Sequence, residues 1–404
     1  MSRKSNQGIR FSSHEGMDFP DWEEKLLGDV VVFKNGKAHE NCVVEDGRFI
    51  IVNSKFISTE GEIRKYSNHQ LEPLNTNDIV MVMSDVPNGK ALAKCFYIES
   101  DNEFTLNQRI CSLTVKEINS KYLYYLINRN RYFLAFDSGV SQTNLRKEEV
   151  LGCPVSVPST EEQEKIASFL EAIDTRLTQL RRKHKLLQTY KRGVMQKIFS
   201  QEVRFKGAIG SAFPDWEKKK MGEVFTRITR KNKENNLNVL TISAQYGLIN
   251  QREFFNKSVA ADDLTGYYLL KCGDFAYNKS YSNGYPMGAI KRLNLHEKGV
   301  VSTLYICFST SDEVEARFYE KYFDGGFLNH ELHKIAQEGA RNHGLLNMSV
   351  VEFFRDITLD YPDTEEQEKI ADFLTAIDQK IEAVARQVDR TEQFKKGLLQ
   401  KMFV

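Results

Sequence analysis

Four loop segments of this 404-residue chain concentrate amide, guanidinium and hydroxyl side chains of the kind that contact nucleic-acid bases. Asn and Gln can form two hydrogen bonds with adenine, Arg can do so with guanine, and Lys can contact phosphate. The candidate DNA-contacting residues in and beside these segments are Ser84, Asn88, Lys90, Lys94, Ser141, Gln142, Asn144, Lys279, Tyr281, Asn283, Tyr285, Lys291, Arg341, Asn342 and His343. Each of them could equally belong to an ordinary polar surface turn.

Catalytic motifs are missing from the sequence. It has no Asn-Pro-Pro-Tyr or Asp-Pro-Pro-Tyr motif for adenine methylation, no glycine-rich cofactor loop and no Gly-x-x-x-x-Gly-Lys-Ser/Thr loop for ATP. The acidic residues of Pro214-Asp-Trp-Glu217 lie too close together for a nuclease metal site, so we interpret this motif as a turn that anchors Trp216. The six cysteines are scattered, which indicates reduced thiols rather than a zinc site. We therefore expect no catalytic residue, no metal site and no cofactor in this chain.

An internal repeat organises the chain. Residues 158–174 recur almost unchanged as residues 362–378, at a spacing of 204 (362 − 158), and the match continues to the end of each half. The sequence Phe19-Pro-Asp-Trp-Glu recurs at Phe213, at a spacing of 194 (213 − 19), and so does the preceding Arg-Phe pair. The segments between these anchors diverge. We infer two variable domains, each followed by a shared segment.

The shared segments are predicted to be long helices. Thr160 with Gln163, and Thr364 with Gln367, fit a capping box, and an apolar heptad pattern follows each of them. The residues expected to pair the helices and to dock partners are Ile166, Phe169, Leu170, Ile173, Leu177, Leu180, Ile370, Phe373, Leu374, Ile377, Ile381 and Val384. A coiled coil between two chains is the alternative, but covalent linkage favours an antiparallel pair within one chain.

The variable segments are predicted to be mixed α/β domains. Residues 79–83 and 275–277 are typical of strands, whereas residues 121–128 and 314–322 are typical of helices. The predicted fold class is therefore mixed α/β, with two globular α+β domains separated by two long helices and an internal twofold pseudo-repeat. The expected divisions are 1–157 and 204–361 for the globular domains, and 158–203 and 362–404 for the helical regions.

Composition is compatible with an intracellular globular protein. Hydrophobic residues make up 41% and charged residues 27% of the chain, whose net charge is +1. No apolar run is long enough for a membrane span, and the first residues lack the apolar core of a signal peptide. We expect a cytoplasmic protein without a membrane partner.

The duplicated Pro-x-x-Glu-Glu-Gln-x-x-Ile-Ala motif, at 158–167 and 362–371, resembles that of the specificity subunit of type I restriction–modification systems. The resemblance covers essentially the whole chain. It implies that each globular domain is a target-recognition domain that binds one half of a bipartite double-stranded DNA target. The paired helices would set the spacing between the half-sites and dock two methyltransferase subunits.

The same resemblance implies that catalysis belongs to the partners. Adenine N6 methylation, or ATP-dependent cleavage by two restriction subunits, would use S-adenosylmethionine, ATP and Mg bound to those subunits. No base-contacting residue transfers by motif, and the DNA target and its spacer length are not predicted. The alternative function is a two-headed scaffold or adaptor that binds proteins.

Overall fold

The computed structural model describes residues 10–12, 18–207, 209–243, 246–255, 263–281, 284–336 and 346–403. These residues form two compact units. Unit 1 contains the residues up to Arg181 together with those from Arg386 onward, and unit 2 contains the residues from Arg182 to Ala385. Because the unit boundaries fall within the two long helices, they do not test the four-part division expected from the sequence.

The helices include two that are much longer than the rest. In chain order the helices are α1 (Leu27–Val30), α2 (Ser54–Ser58), α3 (Ser120–Ile127), α4 (Arg131–Leu134), α5 (Lys147–Leu151), α6 (Thr160–Phe199), α7 (Met221–Val224), α8 (Gln251–Phe255), α9 (Ala316–Asp324), α10 (Asn329–Ile335), α11 (Val350–Arg355) and α12 (Thr364–Met402), with a 3-10 turn at Glu40–Cys42. Among the residues that the structure describes, no helix is both long and apolar enough to cross a membrane.

Strands are short and belong to several small sheets. Those of unit 1 are β1 (Glu23–Leu26), β2 (Val31–Asn35), β3 (Val43–Val44), β4 (Phe49–Val52), β5 (Tyr66–Ser67), β6 (Ile79–Val82), β7 (Ser84–Asp85), β8 (Cys95–Tyr97), β9 (Phe104–Leu106), β10 (Ile110–Val115), β11 (Thr143–Asn144) and β12 (Pro154–Val157). Those of unit 2 are β13 (Glu217–Lys220), β14 (Phe225–Arg227), β15 (Leu240–Ser243), β16 (Gly247–Asn250), β17 (Tyr268–Lys271), β18 (Phe275–Asn278), β19 (Ala289–Arg292), β20 (Lys298–Val301), β21 (Ile306–Thr310) and β22 (Thr358–Tyr361).

The main sheets of the two units share one topology. The main sheet of unit 1 has the order β2-β10-β6-β8, and the main sheet of unit 2 has the equivalent order β14-β21-β18-β19. Each unit is closed by a pair between its first and last strands, β1 with β12 and β13 with β22. The internal pseudo-repeat and the mixed α/β fold expected from the sequence are thus confirmed.

The central strand β6 lies between two cores, and this position explains why its sequence is continuously apolar. Ile79 and Met81 belong to the core that packs against α3 and α6, whereas Val80 and Val82 belong to a second core beneath the sheet β3-β5-β4-β9. A strand buried on both faces needs apolar residues at every position.

In both long helices the N-cap residue lies one position before the predicted one. Ser159, not Thr160, lies at the N-cap of α6, because its hydroxyl accepts from the amide of Glu162 at 3.4 Å. In α12 the carboxylate of Asp363 accepts from the amide of Glu365 at 2.9 Å. The side chain that was expected to complete the first box, Gln163, instead donates to the carbonyl of Pro158 at 2.7 Å.

The long helices pair in antiparallel fashion, as expected. Within unit 1, Asp174 near the start of α6 pairs with Lys395 near the end of α12, and Leu398 and Met402 join the main core. Within unit 2, Lys191 near the end of α6 pairs with Asp378 near the start of α12. These two ion pairs occupy equivalent positions of the repeat.

Candidate nucleic-acid interface

The two candidate loops of unit 1 lie side by side on its surface. Ser84 and Asn144 face each other across the short antiparallel pair of β7 and β11. The amide of Gln142 donates to the hydroxyl of Ser84 at 2.7 Å and contacts the Asn144 side chain at 3.3 Å. The amide of Asn88 donates to the carbonyl of Gly139 at 3.2 Å. Segments more than 50 residues apart in sequence thereby form one polar surface, to which exposed Ser141 and Lys90 also belong.

A turn around Asp85 gives the first of these loops its shape. The carboxylate of Asp85 accepts hydrogen bonds from the amides of Val86, Ala91 and Leu92 at 2.7–3.1 Å. A Cβ at Gly89 would lie 2.1 Å from the Asp85 carboxylate, so only glycine fits at this position. The loop is therefore held in shape by hydrogen bonds from its backbone amides to the Asp85 carboxylate.

Two apolar side chains at this surface were missed by sequence reasoning. Val86 is 63% exposed and Val140 is 86% exposed, one in each of the paired loops. Apolar side chains beside amides can contact the thymine methyl group in the major groove. No periodic pattern in the sequence marks these two valines, because each is a single apolar residue in a polar loop.

Lys94 differs from its neighbours because its charge is already paired. Its ammonium donates to the carbonyl of Ser58 at 3.0 Å and lies 3.6 Å from the carboxylate of Glu60. The side chain is 22% exposed. It contacts phosphate only if these interactions are released, so its assignment to DNA binding stays a prediction.

The corresponding loops of unit 2 are described only in part. Leu346 donates its backbone amide to the carbonyl of Lys279 at 3.0 Å, which matches the bond from Leu145 to Met83 in unit 1. Tyr281 is 63% exposed, and Lys279 is half-buried. The other candidates in these loops, Asn283, Arg341, Asn342 and His343, lie outside the described residues.

Lys291 is a buried member of the predicted set. Its ammonium contacts the carboxylate of Asp324 at 2.6 Å and the hydroxyl of Tyr285 at 3.0 Å. Burial lowers the pKa of Lys291, but these two partners raise it more, and the net pKa lies above the ordinary value. The charge is used inside the domain, so in this conformation it is not offered to a phosphate.

A buried carboxylate joins the shared motifs of unit 1. Glu162, whose side chain has 0% exposure, accepts from the guanidinium of Arg10 at 2.9 and 3.2 Å and from the indole of Trp22 at 3.0 Å. The hydrogen bond to Glu162 raises the pKa of Arg10 above its ordinary value. The start of the globular domain is thus tied to the first turn of α6.

Unit 2 repeats this arrangement. Glu366 accepts from Arg204 at 2.6 and 3.1 Å and from Trp216 at 2.9 Å. We call these two sets, Arg10–Trp22–Glu162 and Arg204–Trp216–Glu366, the carboxylate clamps. They confirm that Pro-Asp-Trp anchors a tryptophan, and they show that its anchor is the second glutamate of the repeated motif.

The residues expected to pair the helices are mostly buried by the chain itself. Ile166, Leu170, Ile370 and Leu374 have 0% exposure, and Ile173, Leu177, Leu180, Ile377 and Val384 are also buried. Ile381 is half-buried. Apart from Leu180 and Val384, they pack in the core of their own unit, which leaves little of their area for a partner subunit.

The two phenylalanines of that predicted set contact the start of each half. Phe169 packs against Phe11, and Phe373 packs against Phe205, with ring centroids 5.6 Å apart in both pairs. They extend the carboxylate clamps rather than the helix seam.

A groove of about 1020 Å³ in unit 1 lies between α3 and the two long helices. Four of the five acidic groups that line it form ion pairs: Glu60 with Lys94, Glu171 with Lys121, Asp174 with Lys395, and Glu392 with Arg181. Within the described ranges, no group of three or more His, Cys, Asp or Glu residues could hold a metal ion.

Comparison with known proteins identifies the family. The model of the type I restriction modification DNA specificity domain matches residues 20–188 and again residues 214–390. The chain belongs to this family. The two matches cover both halves of the repeat, so the family domain is present twice.

Full-length relatives agree with this assignment. The chain is 25% identical over 419 residues to the type I restriction enzyme MjaVIII specificity subunit of Methanocaldococcus jannaschii, covering 96% of this chain and 94% of the relative. Its fold is similar to the type I restriction-modification S subunit from M. genitalium, with a TM-score of 0.59, 16% identity and coverage of 96% and 97% of the two chains. A chain from a structure on complex assembly and conformational transition of the type I R-M system gives a TM-score of 0.54, 17% identity and coverage of 96% and 98%.

Proposed function

We propose that this member of the specificity family is a non-catalytic subunit that selects a bipartite DNA target for partner enzymes. Each unit would read one half-site through its paired loops. The observation that carries this proposal is the surface formed by Ser84, Asn88, Gln142 and Asn144, where amides and hydroxyls from two distant segments converge. Such groups can read base edges in the major groove, and the exposed valines can contact thymine methyls.

Methyl transfer and cleavage would be performed by partners. Two methyltransferase subunits would dock on the long helices and modify adenine N6 with S-adenosylmethionine, and two restriction subunits would cleave unmodified DNA with ATP and Mg. Methylation of a base in duplex DNA requires its extrusion into an enclosed pocket. Four of the five carboxylates that line the groove of unit 1 are engaged in ion pairs, which supports a role for this chain in recognition rather than catalysis.

Single-molecule sequencing of adenine methylation, in cells with and without this gene, tests the proposal. We expect one split sequence to lose its methylation when the gene is deleted and to regain it on complementation. The purified chain alone should transfer no methyl group to DNA. An unchanged methylation pattern would contradict the proposal and favour a protein-binding scaffold.

A domain exchange tests whether the two half-sites are read separately. The first and last strands of unit 1 pair from Glu23 with Val157 to Leu26 with Pro154, so the ends of the segment 27–153 lie side by side. Replacing this segment by that of another family member keeps the β1–β12 pair and the carboxylate clamp. We expect one half of the methylated sequence to change and the other to persist. A change in both halves would show joint reading.

A further inference from the structure

The groove of unit 1 carries a surplus of positive charge. Seven cationic residues line it, against five acidic ones. Four of the seven form the ion pairs described above. The other three are Arg129, Arg131 and Lys396. The groove therefore has more cations than its own acidic groups neutralise. Arg129 lies between α3 and α4, and Arg131 is the first residue of α4. We call these two residues the arginine pair.

Arg129 supports the first candidate loop of unit 1. Its guanidinium donates to the carbonyls of Lys90 and Leu92 at 2.5 and 3.4 Å, and its backbone amide donates to the carbonyl of Ala93 at 2.8 Å. Carbonyl groups orient a guanidinium but leave its charge without a counterion. Among the residues that the structure describes, no carboxylate lies within ion-pair distance of this side chain. Its charge is therefore available to an anion beside the loop.

Arg131 is the second member of the pair, and its side chain is exposed. Within the described ranges, its guanidinium forms neither a hydrogen bond nor an ion pair. An arginine offers five N–H donors in a planar fork that matches the oxygens of a phosphate. The pair thus presents two uncompensated charges at one edge of the groove.

Unit 2 offers an internal comparison, because a shared contact identifies its equivalent positions. The amide of Asn119 donates to the side chain of Gln163 at 2.8 Å, and the amide of Glu315 donates to that of Gln367 at 3.1 Å. The two donors directly precede α3 and α9. The starts of these helices are therefore equivalent, at a spacing of 196 (315 − 119).

The same spacing places Gly325 at the position of Arg129, and Phe327 at the position of Arg131. Phe327 packs against Phe199, with ring centroids 4.5 Å apart. A Cβ at Gly325 would lie 2.3 Å from the ring of Phe327, so a longer side chain does not fit there. In unit 2 the chain fills this region with its own apolar groups, and packing explains the residues found there.

Packing does not explain the arginine pair. The main sheets of the two units have equivalent strand orders, so an apolar filling was equally possible in unit 1. Unit 1 has instead two cationic side chains beside an open groove. A half-buried charge such as that of Arg129 is costly without a counterion. The difference between the units therefore points to an anion that comes from another molecule.

We propose that the arginine pair binds the phosphate backbone of DNA beside the half-site that unit 1 reads. This inference rests on the proposed function and names a contact that positions the DNA without choosing its sequence. Phosphate contacts fix the register of a protein on the duplex, whereas base contacts supply specificity. Neither Gly325 nor Phe327 is cationic, so at this position the contact belongs to unit 1 alone.

A DNA phosphate fits the arginine pair because of its connection to the candidate loop. Arg129 is hydrogen-bonded to Lys90, whose side chain is exposed, and Arg131 follows two residues later. Cations thus extend from the loop to the groove. Every base that the loop reads is flanked by phosphates of its own strand, so cations that adjoin the loop lie where the DNA backbone passes. An acidic protein segment and a free nucleotide are the other sources of negative charge, and the experiments distinguish them.

Salt-dependent DNA binding by the chain assembled with its methyltransferase subunits tests the proposal. Fluorescence anisotropy is measured between about 50 and 200 mM salt on two duplexes of equal length, one with the methylated target and one unrelated. Arg131→Gln should reduce the slope of log affinity against log salt by about 0.9, which corresponds to about a 5-fold loss of affinity at about 0.15 M salt. The loss should be equal on both duplexes, because phosphates are common to both.

Two matched variants control for the loss of charge. Arg131→Lys keeps a cation at the same position and should retain the wild-type slope. Arg48→Gln removes an exposed arginine of unit 1 that does not line the groove, and it should leave the slope unchanged.

Arg129→Met separates the two roles of Arg129. The slope should again fall by about 0.9, because one phosphate contact is lost. Base preference in one half-site should also relax, because the carbonyls of Lys90 and Leu92 lose their donor. Arg131→Gln should instead keep the methylated sequence unchanged. Sequencing of methylated sites measures this difference.

Four results would overturn the inference. An unchanged slope for the variant with both Arg129→Met and Arg131→Gln would show that neither residue binds phosphate. A loss confined to the target duplex would assign the pair to base reading. Loss of a methyltransferase subunit in native mass spectrometry, with the slope unchanged, would assign it to a protein contact. Binding of ATP by the chain alone that Arg131→Gln removes would assign it to a free nucleotide. Equal affinity of the wild-type complex for both duplexes would instead contradict the proposed function.

Discussion

At the scale of single residues, the carboxylate clamps show how a buried charge is made tolerable. A carboxylate removed from water is costly unless its lone pairs are satisfied. Glu162 receives two hydrogen bonds from the planar guanidinium of Arg10 and a third from the indole of Trp22. The guanidinium of Arg10 also donates to the carbonyl of Pro20 at 2.6 Å, which holds the segment that precedes Trp22. The clamp thus connects Arg10, Trp22 and Glu162, which belong to three separate sequence motifs.

Replacing Glu162 by glutamine should destabilise unit 1. The Glu162→Gln variant keeps the shape of the side chain but removes the charge that Arg10 pairs with, at a cost of about 1.5–3 kcal/mol. Urea unfolding followed by tryptophan fluorescence measures this change. Glu161→Gln is the control, because Glu161 is half-exposed and pairs with Lys165, one turn away on the same helix. Equal free energies of unfolding for the two variants would contradict a stabilising role of the clamp.

The clamp also shows what the sequence could and could not predict about single residues. Arg10, Trp22 and Glu162 each recur in the second half, so the repeat contained the signal that they act together. Their contact was nevertheless missed, because a glutamate in the first turn of a helix is usually solvent-exposed and stabilised by the helix dipole. The ion pair of Lys291 was likewise not predicted, since its partner Asp324 is distant in sequence, and the assignment of Lys291 to DNA binding stays a prediction.

Substitutions at the paired loops of unit 1 should alter one half-site. We expect Gln142→Ala combined with Asn144→Ala to relax base preference in that half, because a bidentate base contact is worth about 1–3 kcal/mol. Assembly with the methyltransferase subunits should be unchanged. The measurement is sequencing of methylated sites. Gln188→Ala, at an exposed position of α6, is the control. An unaltered target sequence would show that these loops are ordinary surface turns.

At the scale of secondary structure, elements with strong local patterns were predicted well. The central strands β6 and β18, the helices α3 and α9, and both long helices lie within a few residues of their expected positions. The sheet β3-β5-β4-β9 was not predicted. Two of its strands, Val43–Val44 and Tyr66–Ser67, are two residues long and form only because partners distant in sequence supply their hydrogen bonds.

The end of each long helix should stabilise the unit it enters. Phe199, at the end of α6, packs in unit 2 against Phe318, Tyr322 and Phe327 with ring centroids 4.5–5.5 Å apart. Phe199→Ala should therefore destabilise unit 2 by about 3–5 kcal/mol. Hydrogen exchange should become faster in α9 but not in α3.

Phe403→Ala provides the reciprocal measurement. Phe403 directly follows α12, is half-buried and contacts Tyr122 in unit 1 with ring centroids 5.8 Å apart. We expect a smaller destabilisation, with faster exchange in α3 and unchanged exchange in α9. Faster exchange in both helices for either variant would show that the helix ends do not act on separate units.

At the scale of the whole molecule, each unit is assembled from both long helices. Unit 1 takes the start of α6 and the end of α12, and unit 2 takes the end of α6 and the start of α12. The boundaries at Arg181 and Ala385 are equivalent in the repeat (385 − 181 = 204). The middle of each helix is therefore the place where length can be added without breaking either core.

Lengthening both helices at this point tests whether they set the spacing between the half-sites. One heptad inserted after Arg182 and one after Arg386 adds about 10 Å to each helix and keeps the seam in register. Both ion pairs, Asp174–Lys395 and Lys191–Asp378, stay within their own units. DNA rises about 3.4 Å per base pair, so we expect the unread spacer of the methylated sites to grow by about three base pairs.

The added base pairs also rotate the second half-site by about a third of a turn, given about 10.5 base pairs per turn of DNA. Methylation should therefore be slower, because the DNA must twist or bend before both half-sites are read. A heptad inserted into α6 alone is the control: it puts the two helices out of register and should abolish methylation. The decisive measurement is the spacer of the sites that stay methylated. If the doubly lengthened variant keeps the parental spacer, the helices serve only as a docking platform, and another part of the complex sets the distance.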